Sequence, residues 1–266
     1  MVTRQWLRKS IRLNGVATAY LDVGHGETIV ALHGIPTSSL LFAPPLPHLN
    51  NYRLLAPDLL GQGQTTTPPT GPLDYSAYAK HLRRFMDAVP PQQFHFLLHD
   101  LGGVLGLEWA TENVERLKSL ILLSTTITES FRVGKVLYAA NLIFGQSLLR
   151  WGMSFTLKRS QDLDATLREE WVKPWSRRRL LRGTDHFAGH HLRRIQASLH
   201  HIQVPVLVVW GEQDDIFPLR HATSIIQALP QAKLCTIQPC GHWSVLDAPE
   251  EIAQCVVKFL SAKGHT

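Results

Sequence analysis

No stretch of this chain reaches the roughly 18 uninterrupted apolar residues that a membrane-spanning helix needs. The N-terminal MVTRQWLRKSIRLNG carries basic residues with no apolar run behind them, so no signal peptide is expected either. Cysteine is scarce. Cys235, Cys240 and Cys255 are odd in number and lack metal-type spacing, and they read as reduced, half-buried thiols of a cytoplasmic protein. No His/Asp/Cys cluster has ligand spacing, so neither a metal nor a cofactor is called for. Internal repeats, linkers and low-complexity tracts are missing as well.

Acidic residues are outnumbered, 21 against 27 Lys and Arg, which leaves a net charge of +6. The excess is local. Between Arg150 and Arg194 eleven basic residues face five acidic ones, so this segment carries the whole imbalance. Without aromatic interleaving or a binding motif it does not indicate nucleic acid. A solvated basic face is the better reading, with an anionic surface or substrate as the alternative.

What is present is a soluble-type composition, 44% hydrophobic and 18% charged, on 266 residues, enough for one large core with an insertion. Short apolar runs alternate with helical patterns, the mark of βαβ units and a mainly parallel sheet. Ile11–Asn14 and Val16–Val23 predict a hairpin closed at Asn14-Gly15. Strands are predicted at Thr28–Leu32, Arg53–Ala56, Phe94–Leu98, Ser119–Leu123, Val204–Trp210 and Ala232–Ile237. Helices are predicted at about Tyr75–Val89, Leu101–Asn113, Ala222–Leu229 and Glu250–Ala262. The alternation breaks over 127–201, which reads as a helical cap inserted into a core formed by 1–126 and 202–266. The apolar run Val136–Phe155 lies inside it.

Four segments at strand ends converge if the strand reading holds, because open α/β sheets bind ligands beyond the carboxyl ends of their strands. In FHFLLHDLGGVLG a strand, a tight turn and a helix form the frame of a nucleophile elbow, and the projecting position is Asp100. No G-x-S-x-G occurs anywhere. A carboxylate with a pKa of about 4 is already ionised at neutral pH. It can displace a leaving group from saturated carbon to give an ester of Asp100, which activated water then hydrolyses. In IQPCGHWSVLDAPEEI the loop after the last strand presents His242 as the base, singled out from thirteen other histidines by position. In VLVVWGEQDDIFP, Asp214 can accept the imidazole N–H, with Asp215 and Glu129 as rivals. In IVALHGIPTSS, Gly34 lets the loop approach, so that the N–H groups of Ile35 and Leu101 can form an oxyanion hole.

The segments HGIPTSS, APDLLGQG, HDLGG, WGEQD and GHWSVLDAPEE resemble those of the α/β-hydrolase superfamily, in particular its haloalkane dehalogenase and epoxide hydrolase branch. The resemblance spans nearly the whole chain outside the expected cap. It implies an α/β-hydrolase fold with Asp100 as nucleophile, His242 as base and Asp214 as the acid member. The HGIPTSS and PDLLGQG wording is closer to dehalogenases; the HD-x-GG wording is shared with epoxide hydrolases. Dehalogenases of this kind usually hold the departing halide with a tryptophan directly after the nucleophile, and many add an asparagine in the HG-x-P loop. Here those places hold Leu101 and Ile35. Trp171 or Trp175 of the cap can supply one indole N–H. Epoxide hydrolases typically protonate the ring with two cap tyrosines, and this cap has one, Tyr138. Together with Trp243 these residues are expected to line a pocket for a small apolar substrate.

The expectation is therefore a hydrolase acting through an aspartyl ester, with haloalkanes first and epoxides close behind. Another ester or lactone, or a silent ligand-binding protein of the same fold, completes the alternatives. Water and a small molecule are the expected partners; nothing indicates an oligomeric state.

Overall fold

The computed structural model describes residues 8–128 except Pro69 and Pro72, together with 157–158 and 189–262. Eight strands form one sheet: β1 (Lys9–Leu13), β2 (Val16–Gly24), β3 (Glu27–Leu32), β4 (Tyr52–Pro57), β5 (Phe94–His99), β6 (Leu117–Leu123), β7 (Val206–Gly211) and β8 (Lys233–Ile237). Their order is β1-β2-β4-β3-β5-β6-β7-β8. The pairs β1–β2 and β2–β4 are antiparallel and all the others parallel. The hairpin turns at Asn14 and Gly15, with φ of 47° and 84°. Two successive left-handed residues suit the twist of a two-residue hairpin, which is why Asn-Gly marks it.

The strands alternate their side chains between two cores. In β3, Val30 and Leu32 enter one layer while Ile29 and Ala31 enter the other. In β6, Leu120 and Leu122 are set against Ile121 and Leu123 in the same way. Burial on both faces removes any need for polar alternation, so central strands read as continuous apolar runs. β8 departs from that pattern because it lies at the sheet edge: Lys233, Leu234 and Thr236 are exposed.

Helix α1 (Tyr75–Ala88) is capped by Asp74, whose side chain accepts the Ala77 N–H. Helix α2 (Leu101–Glu112) starts one residue after β5 and is buried along most of its length, with Glu108 and Glu112 as its partly buried and exposed positions. The cap expected over 127–201 falls largely outside the described residues. Near the end of that range helix α3 (Gly189–Ser198) packs on α2. There Arg194 reaches Glu108 and Glu112, at 3.4 and 3.2 Å. At the other end of the stretch, His221 of α4 (Arg220–Ala228) lies 2.9 Å from the Thr126 hydroxyl and 3.1 Å from that of Thr128. Short α5 (Ser244–Asp247) and α6 (Pro249–Ser261) close the chain.

One expectation is corrected here. Cys235 on β8 and Cys255 on α6 form a disulfide with their Cα atoms 6.8 Å apart, and Cys240 is a buried thiol outside it. The bridge joins the edge strand to the last helix, and a separation of 20 in sequence announces nothing of it. Among the described residues no helix is long and apolar enough to cross a membrane, and no group of three or more His, Cys, Asp or Glu side chains is arranged to hold a metal ion.

Candidate active site

Asp100 stands between β5 and α2 with φ 51° and ψ −122°. Positive φ costs a residue with a Cβ roughly 1–3 kcal/mol and persists only where the surroundings enforce it. They do. The Thr125 hydroxyl donates to the Asp100 carbonyl at 2.8 Å, and the Gly103 N–H returns to the same carbonyl at 2.9 Å. A Cβ on Gly102 would come within 2.4 Å of the Leu32 carbonyl, so the first turn of α2 can sit against β3 only with glycine there.

The loop after β3 completes the approach. A Cβ on Gly34 would lie 2.1 Å from Asp100 Oδ1, and its absence lets the Ile35 N–H donate to that oxygen at 2.9 Å. The Leu101 N–H also bonds the carboxylate. The loop is fastened from beneath. His33 Nε2 accepts the Leu59 N–H at 2.9 Å, so Nδ1 carries the proton and donates to the Gly34 carbonyl at 2.7 Å. Burial holds this imidazole down to about 4, and it stays neutral. Asp58, buried with Arg8 at 3.2 Å, accepts the Ser39 and Gln64 N–H groups and anchors the next turn.

His242 follows the Gly241 turn after β8. Its Nδ1 lies 3.1 Å from Asp214 Oδ2, and its Nε2 faces Asp100 Oδ2 at 3.6 Å. Asp214 itself is fixed by two backbone donors: Oδ1 accepts from Ile216 at 2.9 Å and from Phe217 at 2.7 Å. Asp215 points away, 69% exposed at its side chain. The rings of Phe217 and Trp243 meet His242 edge-on at 5.3 and 4.8 Å.

All three ionisable groups are nearly inaccessible, at 3% for Asp100, 4% for Asp214 and 1% for His242. For His242 burial pushes the imidazole down, but the charge of Asp214 and the adjoining Asp100 carboxylate outweigh it and raise the group to about 9. For Asp100 burial pushes up; His242, the field of His99 and the Leu101 N–H together hold it below the ordinary carboxylate range. At neutral pH the site is an imidazolium between two carboxylates.

The structure thus brings together Asp100, His242, Asp214, Ile35 and Leu101. Trp243 is there too, but it is 2% exposed and packs against His242 and His99 inside a core cluster. Tyr138, Trp171, Trp175 and the rival Glu129 lie outside the described residues. Three neighbours went unread in the sequence. Thr125 carries no local signal, because its role depends on β6 lying beside β5. His99 sits in the elbow motif, just past the predicted strand, and nothing in the sequence gives it a role. Asp247 stands in the segment around His242, where nothing marks its carboxylate as turned back toward Gly241, whose N–H it accepts at 2.9 Å.

Comparison with known proteins supports the fold described above. Over 281 residues the chain is 26% identical to a cis-3-alkyl-4-alkyloxetan-2-one decarboxylase of Shewanella oneidensis, covering 96% of this chain and 88% of that protein. A haloalkane dehalogenase of Sphingobium indicum is 38% identical, but over 120 residues, 42% of this chain and 40% of the dehalogenase. Among solved structures, a meta-cleavage product hydrolase from Pseudomonas fluorescens IP01 superposes with a TM-score of 0.78 at 25% identity, covering 96% and 97% of the two chains. Residues 27–249 match the alpha/beta hydrolase fold family as a whole, and the chain belongs to that family.

Proposed function

We propose that this hydrolase works through a covalent ester on Asp100, with His242 as base and Asp214 orienting it. One observation carries the reading: the two oxygens of Asp100 have different surroundings. Oδ1 is occupied by the Ile35 N–H, while Oδ2 faces His242 Nε2. Oδ2 is then the attacking atom. It forms a bond to the substrate's electrophilic carbon as the leaving group departs with the bonding electrons. In the second step His242 removes a proton from water, the water oxygen adds to Cγ, and the negative charge collects on Oδ1. The Ile35 N–H already points there, and the Leu101 N–H bonds the same carboxylate. Collapse breaks the Cγ–Oδ2 bond, and the product leaves with the proton from His242.

The charge pattern supports this order. While Asp100 is ionised it helps to keep His242 protonated. Esterification neutralises Asp100, removes that support and lowers the imidazole's proton affinity, so the group becomes a base when one is required.

Within this mechanism the substrate is a small apolar electrophile. The haloalkane reading is supported by the HGIPTSS and PDLLGQG wording and by the partial identity to the dehalogenase. A second reading, a strained oxygen ring such as a β-lactone, is favoured by the side chains beside the nucleophile. Leu101 is wholly buried in the core and Ile35 packs against it, so neither offers a halide ion a donor. A ring-opening substrate keeps its leaving group attached, and the relative matched over 96% of this chain acts on an oxetan-2-one. An epoxide would need an acid, a role open to Tyr138. The cap over 127–201 would supply the apolar cover.

The test is the intact mass of His242→Ala after exposure to bromoalkanes, epoxides and a 3,4-dialkyl oxetan-2-one. Loss of the base should trap the ester. A bromoalkane adds its alkyl group, whereas either ring adds its whole mass, and peptide digestion should place the adduct on Asp100. Absence of any adduct from all three panels on folded protein, or full turnover by Asp100→Ala, would sink the proposal.

A further inference from the structure

The described residues 157 and 158 come back to the site at one point. The backbone N–H of Lys158 donates to Asp247 Oδ1 at 2.9 Å. The second oxygen of the same carboxylate, Oδ2, accepts the Gly241 N–H, also at 2.9 Å. The Lys158 ammonium pairs with Asp215 Oδ2 at 2.7 Å, one residue beyond Asp214. Leu157 packs against the core layer that contains Trp243. A two-residue segment is therefore fastened to the loop of His242 through its backbone and to the loop of Asp214 through its side chain.

Asp247 closes α5 and is 5% exposed. Its carboxylate offers two separately directed acceptor oxygens, and here one serves each of two chain segments distant in sequence. Leaving a buried N–H without a partner is costly, so the two bonds favour one arrangement of Gly241 and Lys158 together. Gly241 is the residue before His242, so its peptide plane sets where the imidazole starts. The far side of His242 is held by His99, whose Nε2 lies 3.2 Å from the His242 carbonyl.

We propose that Asp247 is a positioning residue for His242 and that it ties the seating of Leu157–Lys158 to the placement of that imidazole. The functional part of this inference rests on His242 being the base. A substrate displacing the 157–158 segment would then be sensed at the base through one carboxylate, without a contact of its own to His242.

The experiment follows the His242 ring by proton–nitrogen NMR across pH, its resonances assigned by their loss in His242→Ala. The groups facing the ring, Asp100, Asp214 and His99, stay unchanged throughout. In Asp247→Asn one N–H loses its acceptor, and the His242 midpoint should fall by about 1 pH unit as the ring is less well held against its carboxylates. Circular dichroism checks that the fold is kept. Lys158→Pro removes the backbone donor and leaves Asp247 intact; it should shift the midpoint in the same direction. Lys158→Ala, which removes only the Asp215 pair, should leave it in place. An unmoved midpoint in folded Asp247→Asn overturns the positioning role; if that variant does not fold, an unmoved midpoint in Lys158→Pro does so. A shift in Asp247→Asn with none in Lys158→Pro overturns the tie between segment and base. These readouts need no substrate, so they are independent of whether Asp100 can be trapped as an ester.

Discussion

His99 Nε2 lies 3.2 Å from the carbonyl oxygen of His242, so the residue before the elbow aspartate holds the backbone of the imidazole opposite it. A carbonyl can only accept, which places the proton of His99 on Nε2. Burial and the neighbouring charge of His242 hold His99 down to about 4, so it remains a neutral donor throughout the working range. Its Nδ1 has no hydrogen-bond partner among the described residues.

His99→Leu should therefore loosen His242 without touching its ring nitrogens. A misplacement of about 1 Å can lower turnover on the order of 100-fold, with less effect on substrate binding. His99→Gln, whose amide N–H can reach the same carbonyl, should recover most of the loss. Steady-state kinetics on whichever substrate traps Asp100 separates the two variants; equal rates for His99→Leu and wild type would remove this role.

The raised proton affinity of His242 makes a prediction about stability. The group is at about 9 in the folded chain against an ordinary value near 6.5. Its contribution is fully present below about pH 6.5 and is lost as the pH rises through about 9. Melting curves of wild type and His242→Gln should thus differ most in mild acid and converge toward pH 9 and above. A gap that widens with rising pH would show the sign to be wrong.

Ile35→Asn tests the halide donor. Ile35 is only partly buried, so an amide there can face the site while its backbone N–H still serves Asp100. The variant should release bromide from bromoalkanes faster than wild type, read with a halide-sensitive dye. Leu101→Trp, the other substitution suggested by the family resemblance, inserts a larger ring into a closed core and should cost about 1–3 kcal/mol in denaturant melts. Unchanged bromide release by both Ile35→Asn and the double variant would count against a missing donor as the limit.

The disulfide predicts a stability effect of its own. Cross-linking residues 20 apart removes loop entropy from the unfolded chain worth about 3 kcal/mol. The loop it closes contains both His242 and Asp247. Cys235→Ser with Cys255→Ser, or reduction with dithiothreitol, should lower the unfolding midpoint by that order. Identical urea curves with and without reductant would show that the bridge contributes nothing.

Central strands were legible because burial on both faces writes itself as unbroken apolar runs such as Phe94–Leu98, and the elbow because Gly102 and Gly103 come two and three residues after Asp100. The hairpin was legible for a local reason too, since Asn14-Gly15 supplies two left-handed residues. Contacts that no motif marks stayed hidden. Thr125 acts on Asp100 only because β6 neighbours β5, and Cys235 meets Cys255 only because α6 packs on the sheet edge. The expected reduced thiols followed from counting cysteines, a rule that knows nothing of where strand and helix lie. Asp214 was separable from Asp215 by position after the strand, and the structure adds the cause: two backbone donors at Ile216 and Phe217 turn Asp214 inward.

The stretch between Thr128 and Gly189 starts and finishes on the same rigid frame. His221 grips Thr126 and Thr128 at its beginning, and Arg194 of α3 grips Glu108 and Glu112 at its end. Both anchors belong to elements that also support the site. Lengthening a connection between fixed points adds entropy cost only logarithmically. With this stretch as the substrate cover proposed above, it can be exchanged between relatives, or redesigned for a new substrate shape, while the chemistry underneath is inherited unaltered. Selection on what the protein accepts and selection on how it reacts can then proceed on separate parts of one chain.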